Sequence, residues 1–267
     1  MTLRHVEPVM GTVFSIVVEA GAGGGELQKT NKIDKINEMD ESRLGAGIAT
    51  AVARLHAIDA KFSTYREDSA ISRMARGESV ERDSEVAEVL RRCAEVEADT
   101  DGAFTAYPAG RLDPSGWVKG WAIEEVDRIL REAGSRNHLI VGGGDVQAHG
   151  EPGLGRPWTV GIADPRQQDR YAALVSGRDF AVATSGTAER GAHIIDPATA
   201  EPATGFASVT LIGTRIARTD AYATAVFAMG PERGLEWAQE RDGIEAYAVL
   251  PDGRTVETSG FARFLVG

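Results

Sequence analysis

The chain has a single cysteine, Cys93, which excludes intrachain disulfides and cysteine-rich zinc sites. No stretch approaches 18 consecutive apolar residues, so no membrane-spanning helix is expected. The first residues, MTLRHVEPVMGTVFSIVVEA, lack a basic start followed by a long apolar run, so a cytoplasmic location without a leader is the expectation. Positive charge is scarce: the net charge is −11 and the pI about 5.0, so there is no broad positive field for a phosphate backbone and nucleic acid is not expected as a partner. Neither G-x-S-x-G nor H-E-x-x-H occurs, which leaves α/β-hydrolase and zinc-protease chemistry without support. Lysine is the scarcest of the common charges. Of 29 basic residues only Lys29, Lys32, Lys35, Lys61 and Lys119 are lysines, and three of them fall within seven residues.

What remains is ordinary globular material, 267 residues with 42% apolar and 26% charged side chains, enough for one large domain with a buried core. Residues 12–19 read as a strand, 26–44 as a polar amphipathic helix closed by Gly45 and Gly47, and 48–62 as a second helix. A helix over 83–98 has Asp83 or Ser84 as its N-cap, and another runs from about Lys119 to Ala133 and ends at Gly134. Strands are expected at 138–141, 146–149, 158–163, 171–176, 179–184, 207–213 and 246–250, and helices at 217–229 and 231–241. Strands and helices mix without regular βαβ alternation. The expected class is therefore α+β, with mainly antiparallel sheet and packed helices, plus an inserted helix near the N-terminus.

Four stretches could carry chemistry. The run Gly142-Gly143-Gly144-Asp145 ends a strand where backbone could approach a phosphate, but strand follows it, so a Rossmann turn fails and a tight turn is the plainer reading. Asp113 to Ala122 leads from a carboxylate through a glycine into a helix start with Lys119, a natural anion site or simply a capped, solvated start. Asp220 and Thr224 share a helix face at i and i+4 and are hard oxygen ligands suited to Mg²⁺; a dipole-favoured Asp and a Thr bonded back to a carbonyl is the alternative. His193, after a Ser-Gly turn, is either a general base or a structural donor. Trp117 and Trp121 read as packing residues, and Cys93 as an inert core residue.

Together these pieces resemble the FAD:protein FMN transferase (ApbE) family. The matching stretches are VMGTVFSI at 9–16, FSTYREDSAISRM at 62–74, GAF at 102–104, DPSGWVKGWAIEEV at 113–126, VGGGDVQAHG at 141–150, ATSGTAERGAHIIDP at 183–197 and SVTLIGTRIARTDAYATAVFAMG at 208–230. The resemblance implies Mg²⁺-dependent transfer of FMN from FAD to a Ser/Thr hydroxyl of an acceptor protein, with release of AMP. An FAD pyrophosphatase giving FMN and AMP, and a non-catalytic FAD-binding protein, are the alternatives. By the same resemblance Asp220, Thr224 and the Gly116 carbonyl would hold Mg²⁺. Lys119 and Asp113 would contact the dinucleotide, and Met10, Tyr65 and Ala103-Phe104-Thr105 would line the flavin or adenine pocket. Asp145 would brace that pocket, and His193 would activate or position the acceptor hydroxyl. The chain departs from the family in three ways: Thr105 stands where Asp usually follows GAF, the stretch between GAF and DPSG is short, and no leader is visible, as in a compact, leaderless form.

The clustered lysines fall in the one unmatched stretch. Residues 21–47 also carry Asn31 and Asn37, and glycines flank them on both sides. The expectation is one ApbE-like domain over 1–267, interrupted at 21–47 by a helical insertion between Gly linkers, native or grafted, whose helix at 26–44 is a candidate partner-binding element.

Overall fold

The computed structural model describes residues 1–19, 31–80, 83–153, 155–167, 169–187, 191, 194–197 and 199–266, with the backbone alone for 31–38. The chain opens with strands β1 (Thr2–Val9) and β2 (Thr12–Glu19), followed by helices α1 (Asn31–Phe62), α2 (Ala70–Ala75), α3 (Ser84–Asp99) and α4 (Ser115–Glu132). Next come β3 (His138–Gly142), β4 (Asp145–His149), β5 (Trp158–Ala163), β6 (Tyr171–Gly177), β7 (Phe180–Gly186), β8 (Ile195–Asp196), β9 (Glu201–Pro202) and β10 (Ser208–Gly213). Helices α5 (Ile216–Met229) and α6 (Pro231–Gln239) and strands β11 (Glu245–Val249) and β12 (Thr255–Glu257) complete it. Eight strands form one sheet in the order β1-β2-β3-β4-β7-β10-β11-β12, every neighbouring pair antiparallel. The α+β expectation, mainly antiparallel, holds.

Side-chain alternation divides this sheet between two cores. Phe14, Ile16, Ile140, Ala181, Ala183, Val209 and Leu211 face the helices, whereas Val146, Ala148, Val182, Tyr247 and Val249 face the β5–β6 hairpin and Phe261. Asp145 and Gln147 alternate with Val146 and Ala148 along β4, so they point to the helix side, and both are buried. Gln147 spends its amide oxygen on the first turn of α5, accepting from the Ile216 N–H at 3.0 Å. Helix α5 is apolar nearly all round and is buried along its length against the sheet and α4.

Three sequence expectations need correction. Residues 31–62 form one continuous helix, so Gly45 and Gly47 do not close one. Gly47 is instead a packing position: a Cβ there would lie 2.5 Å from the Ala133 Cβ, at the approach of α1 to α4. The helix start at Lys119 moves back to Ser115, where the Asp113 carboxylate accepts the Ser115 N–H at 3.0 Å, which puts Lys119 in the second turn. Strand β1 was not anticipated, because Pro8 and alternating polar residues mask it; it lies at the sheet edge, where proline is tolerated. By contrast, Asp83 caps α3 as expected, accepting from the Glu85 and Val86 N–H groups at 2.9 and 3.2 Å.

The continuous α1 also bears on the insertion expected at 21–47. Its glycine flank at 21–25 lies outside the described residues, but its other flank belongs to the body. Leu44 is 5% exposed and sits in the helix-side core, whereas Met39 is 71% exposed. Leu44→Ala should therefore cost about 2–4 kcal/mol in urea unfolding, and Met39→Ala should stay within about 0.5 kcal/mol. Equal costs would mean that the body begins after Leu44.

Candidate functional site

The site forms where α4, α5 and the β3–β4 turn meet. Gly143 and Gly144 both have positive φ, 57° and 86°, so the chain reverses in two residues and Asp145 opens β4 directly opposite Gly142. The Asp145 carboxylate is 1% exposed. Its Oδ1 accepts the Thr184 N–H of β7 at 3.1 Å, and its Oδ2 accepts from the Lys119 ammonium. Lys119 reaches across from α4 past Gly143 and also pairs with Asp220 Oδ1 of α5 at 3.2 Å. One ammonium thus bridges two buried carboxylates from two different elements. Burial works to lower the Lys119 pKa, but the two carboxylates outweigh it and raise it. Burial pushes the Asp220 carboxyl up to about 7, against the pull of Lys119 and with the help of the neighbouring Asp145 charge.

Asp220 Oδ2 is the exception in this network: it is buried and has no hydrogen-bond partner among the described residues. An orphaned carboxylate oxygen in a closed site is costly unless a ligand satisfies it. Thr224 lies one helical turn further along the same face of α5 and is half-buried. Gly116 lies on the same face of α4 as Gly120, whose missing side chain lets α4 touch the Ile216–Ala217 backbone. At Gly116 itself a Cβ would lie 3.0 Å from the Phe104 ring. The donor set of Asp220, Thr224 and Gly116 is all oxygen and therefore fits Mg²⁺, which prefers oxygen ligands and keeps part of its own water.

The other expected residues distribute unevenly. Met10 and Gly11, both at positive φ, make the β1–β2 turn; the following strand adjoins the glycine turn, since the Gly143 N–H donates to the Val13 carbonyl at 3.2 Å. Phe104 is buried against Gly116, and Ala103 packs on the same core. The Thr105 hydroxyl turns to Glu97 of α3, to which it donates at 3.3 Å. Asp113 serves the first turn of α4. Tyr65 is 95% exposed on the rim of a separate hollow lined by Ser72, Arg76 and Arg111. His193 lies outside the described residues. Trp121 packs edge-on to Phe62 at 5.5 Å beneath the Arg54 guanidinium, as its packing role predicts.

Sequence reading missed the Thr184 N–H, Glu97 and Arg111, because backbone donors and contacts between distant elements leave no local pattern. It also missed a sealed Ser135–His138–Asp127 chain, with Ser135 Oγ 2.9 Å from His138 Nδ1 and Asp127 Oδ1 2.8 Å from Nε2. His138 is fully buried and burial lowers its pKa, so this chain is a tie between α4 and β3 with no access for a substrate.

A sequence profile described as the ApbE family matches residues 10–109 and 105–248. A FAD:protein FMN transferase of Klebsiella pneumoniae is 29% identical over 169 residues, 58% of this chain and 48% of that protein. One of Rhodobacter capsulatus is 34% identical over 184 residues, 65% of this chain and 34% of that protein. The chain thus matches half or less of the length of these curated relatives. Among solved structures, the ApbE protein of Thermotoga maritima shares the fold with a TM-score of 0.84 at 23% identity, covering all of both chains. The apo flavinyl transferase ApbE of Pseudomonas stutzeri has a TM-score of 0.76 at 26% identity over 99% of this chain and 96% of its own.

Proposed function

The chain belongs to the ApbE family, and on that premise we propose that it transfers FMN from FAD to a Ser or Thr hydroxyl of an acceptor protein, releasing AMP. The observation that carries this reading is the orphaned Asp220 Oδ2 beside the Lys119 ammonium, an oxygen site for a divalent cation next to a fixed positive charge. Cleaving a pyrophosphate requires positioning and neutralisation of developing charge more than covalent help from the protein. When bound, Mg²⁺ supplies Lewis-acid stabilisation of that charge.

Asp220 and Thr224, with the Gly116 carbonyl, would hold the cation. Lys119 presents its ammonium to the departing phosphate. The acceptor oxygen forms its bond to the phosphorus of the FMN half as the bridging P–O bond breaks, and AMP leaves. His193 is the candidate that takes the hydroxyl proton. Tyr65 and the Met10 turn supply surfaces for the rings of FAD.

The test is incubation of the protein with FAD, Mg²⁺ and a Ser/Thr-containing acceptor peptide. The expected product is a covalently flavinylated, fluorescent peptide with stoichiometric AMP. FMN and AMP appearing at the same rate without peptide would make water the acceptor. Firm retention of FAD with neither product would make the protein a carrier. His193→Ala should stop transfer while leaving FAD binding intact; undiminished transfer would remove His193 from the chemistry. Binding of an acceptor by residues 26–44 is part of this proposal, and most of their side chains lie outside the described residues.

A further inference from the structure

Three charged groups share the site, and their arrangement is unequal. The Asp145 carboxylate is locked, since its Oδ1 is held by the Thr184 N–H and its position follows a two-residue turn. Its Oδ2 accepts from the Lys119 ammonium, which also pairs with Asp220 Oδ1 at 3.2 Å. Asp220 keeps its other oxygen, Oδ2, free of any donor among the described residues. Asp145 is almost wholly buried and faces the lysine.

We propose that Asp145 is a positioning residue that draws the Lys119 ammonium away from Asp220 and so keeps Asp220 available to a divalent cation. An ammonium with no other partner would settle fully on Asp220 and compete with the cation for both oxygens, because two opposite charges in a poorly solvated site attract strongly. Asp145 divides that attraction. The same tether leaves the ammonium beside the cation site after the cation arrives, where it serves as the second positive group. The cation's identity rests on the proposed function; the lysine tether does not.

The experiment is a double-mutant cycle on Mn²⁺ binding to the full chain, read by electron paramagnetic resonance of free Mn²⁺ without FAD or acceptor. Asp145→Asn keeps an acceptor for the Thr184 N–H but releases the lysine, and should weaken Mn²⁺ binding about tenfold or more. Lys119→Met removes the competitor. Its gain in affinity should be about tenfold larger in the Asp145→Asn background than in the wild-type chain, because the two residues act through one contact. Equal gains in both backgrounds would mean that Asp145 contributes only its charge, and would overturn the proposal. Thermal melts establish that each variant is folded. Should Asp145→Asn not fold, Asp145→Glu takes its place: charge is preserved while the ammonium is displaced, and weakened Mn²⁺ binding is again expected. Wild-type affinity in that variant would count against the tether. Normal Mn²⁺ binding and a normal cycle in a chain that transfers no FMN would refute the proposed function and leave this inference standing.

Discussion

An Asp220→Ala chain is expected to release AMP from FAD at least ~10³-fold more slowly than the wild type, with Mn²⁺ binding lost and the fold retained. The reasoning starts from burial. Asp220 is 4% exposed, one oxygen faces Lys119, and the other faces no donor among the described residues. Alanine removes a buried carboxylate with a free coordination position, and neither Thr224 nor a carbonyl can replace its charge. Rate and metal affinity should therefore fall together. Loss of rate with unchanged Mn²⁺ affinity would mean that the cation sits elsewhere.

The same carboxyl gives the prediction a pH signature. Its pKa rises from the ordinary 3.8 to about 7 in the metal-free fold, through burial first. Between these values the folded chain holds a proton that the unfolded chain has released. The stabilising contribution is therefore present in full below about pH 4 and is lost as pH rises through about 7. Metal-free protein should show this loss relative to Asp220→Asn, whose melting temperature lacks that component. Cation binding must displace the proton, so Mn²⁺ affinity should fall about tenfold per pH unit below about 7. An identical pH profile in Asp220→Asn would assign the titration to another group.

The second large effect is structural. Gly120→Val should destabilise the chain by about 3 kcal/mol or more, because overpacking a tight contact forces backbone apart. Even the first carbon of a side chain at Gly120 would lie 2.7 Å from the Ala217 Cα and 2.8 Å from the Ile216 carbonyl oxygen. Both are backbone atoms of α5 and cannot rotate aside. Relief requires α4 to move off α5, which carries Lys119 away from Asp220, so cation affinity should change with stability. Gly45→Ala is the control. Gly45 lies inside α1 with nothing within 4 Å of a Cβ, and alanine there should stabilise the helix by about 0.5–1 kcal/mol. Chemical denaturation of both variants measures the contrast. A tolerated valine at Gly120 would mean that the α4–α5 contact is looser than these distances.

Three glycines show what a linear sequence can and cannot express. Gly45, Gly47 and Gly120 are the same letter, and local propensity reads each as a breaker. Only the neighbour decides: open solvent at Gly45, Ala133 at Gly47, the α5 backbone at Gly120. Lysine usage marked 21–47 as compositionally distinct, yet Leu44 joins the core, because one helix carries the chain from that segment into the body.

Local chemistry was legible wherever the interacting groups are close in sequence. The Asp83 cap, the Gly134 helix end, the glycine turn before Asp145, the i, i+4 relation of Asp220 and Thr224 and the antiparallel α+β class all follow from short-range rules. The ordered blocks from VMGTVFSI to TDAYATAVFAMG marked the family. Tertiary structure decided the rest. It set Asp145 against Lys119, directed Thr105 toward Glu97 and left Asp220 Oδ2 without a donor among the described residues. These outcomes join residues 8 and 26 positions apart or depend on an absent neighbour. The physical reason is range: capping and periodicity act within a turn or two of chain, whereas burial and charge pairing act through space and exist only once α4, α5 and β4 have packed.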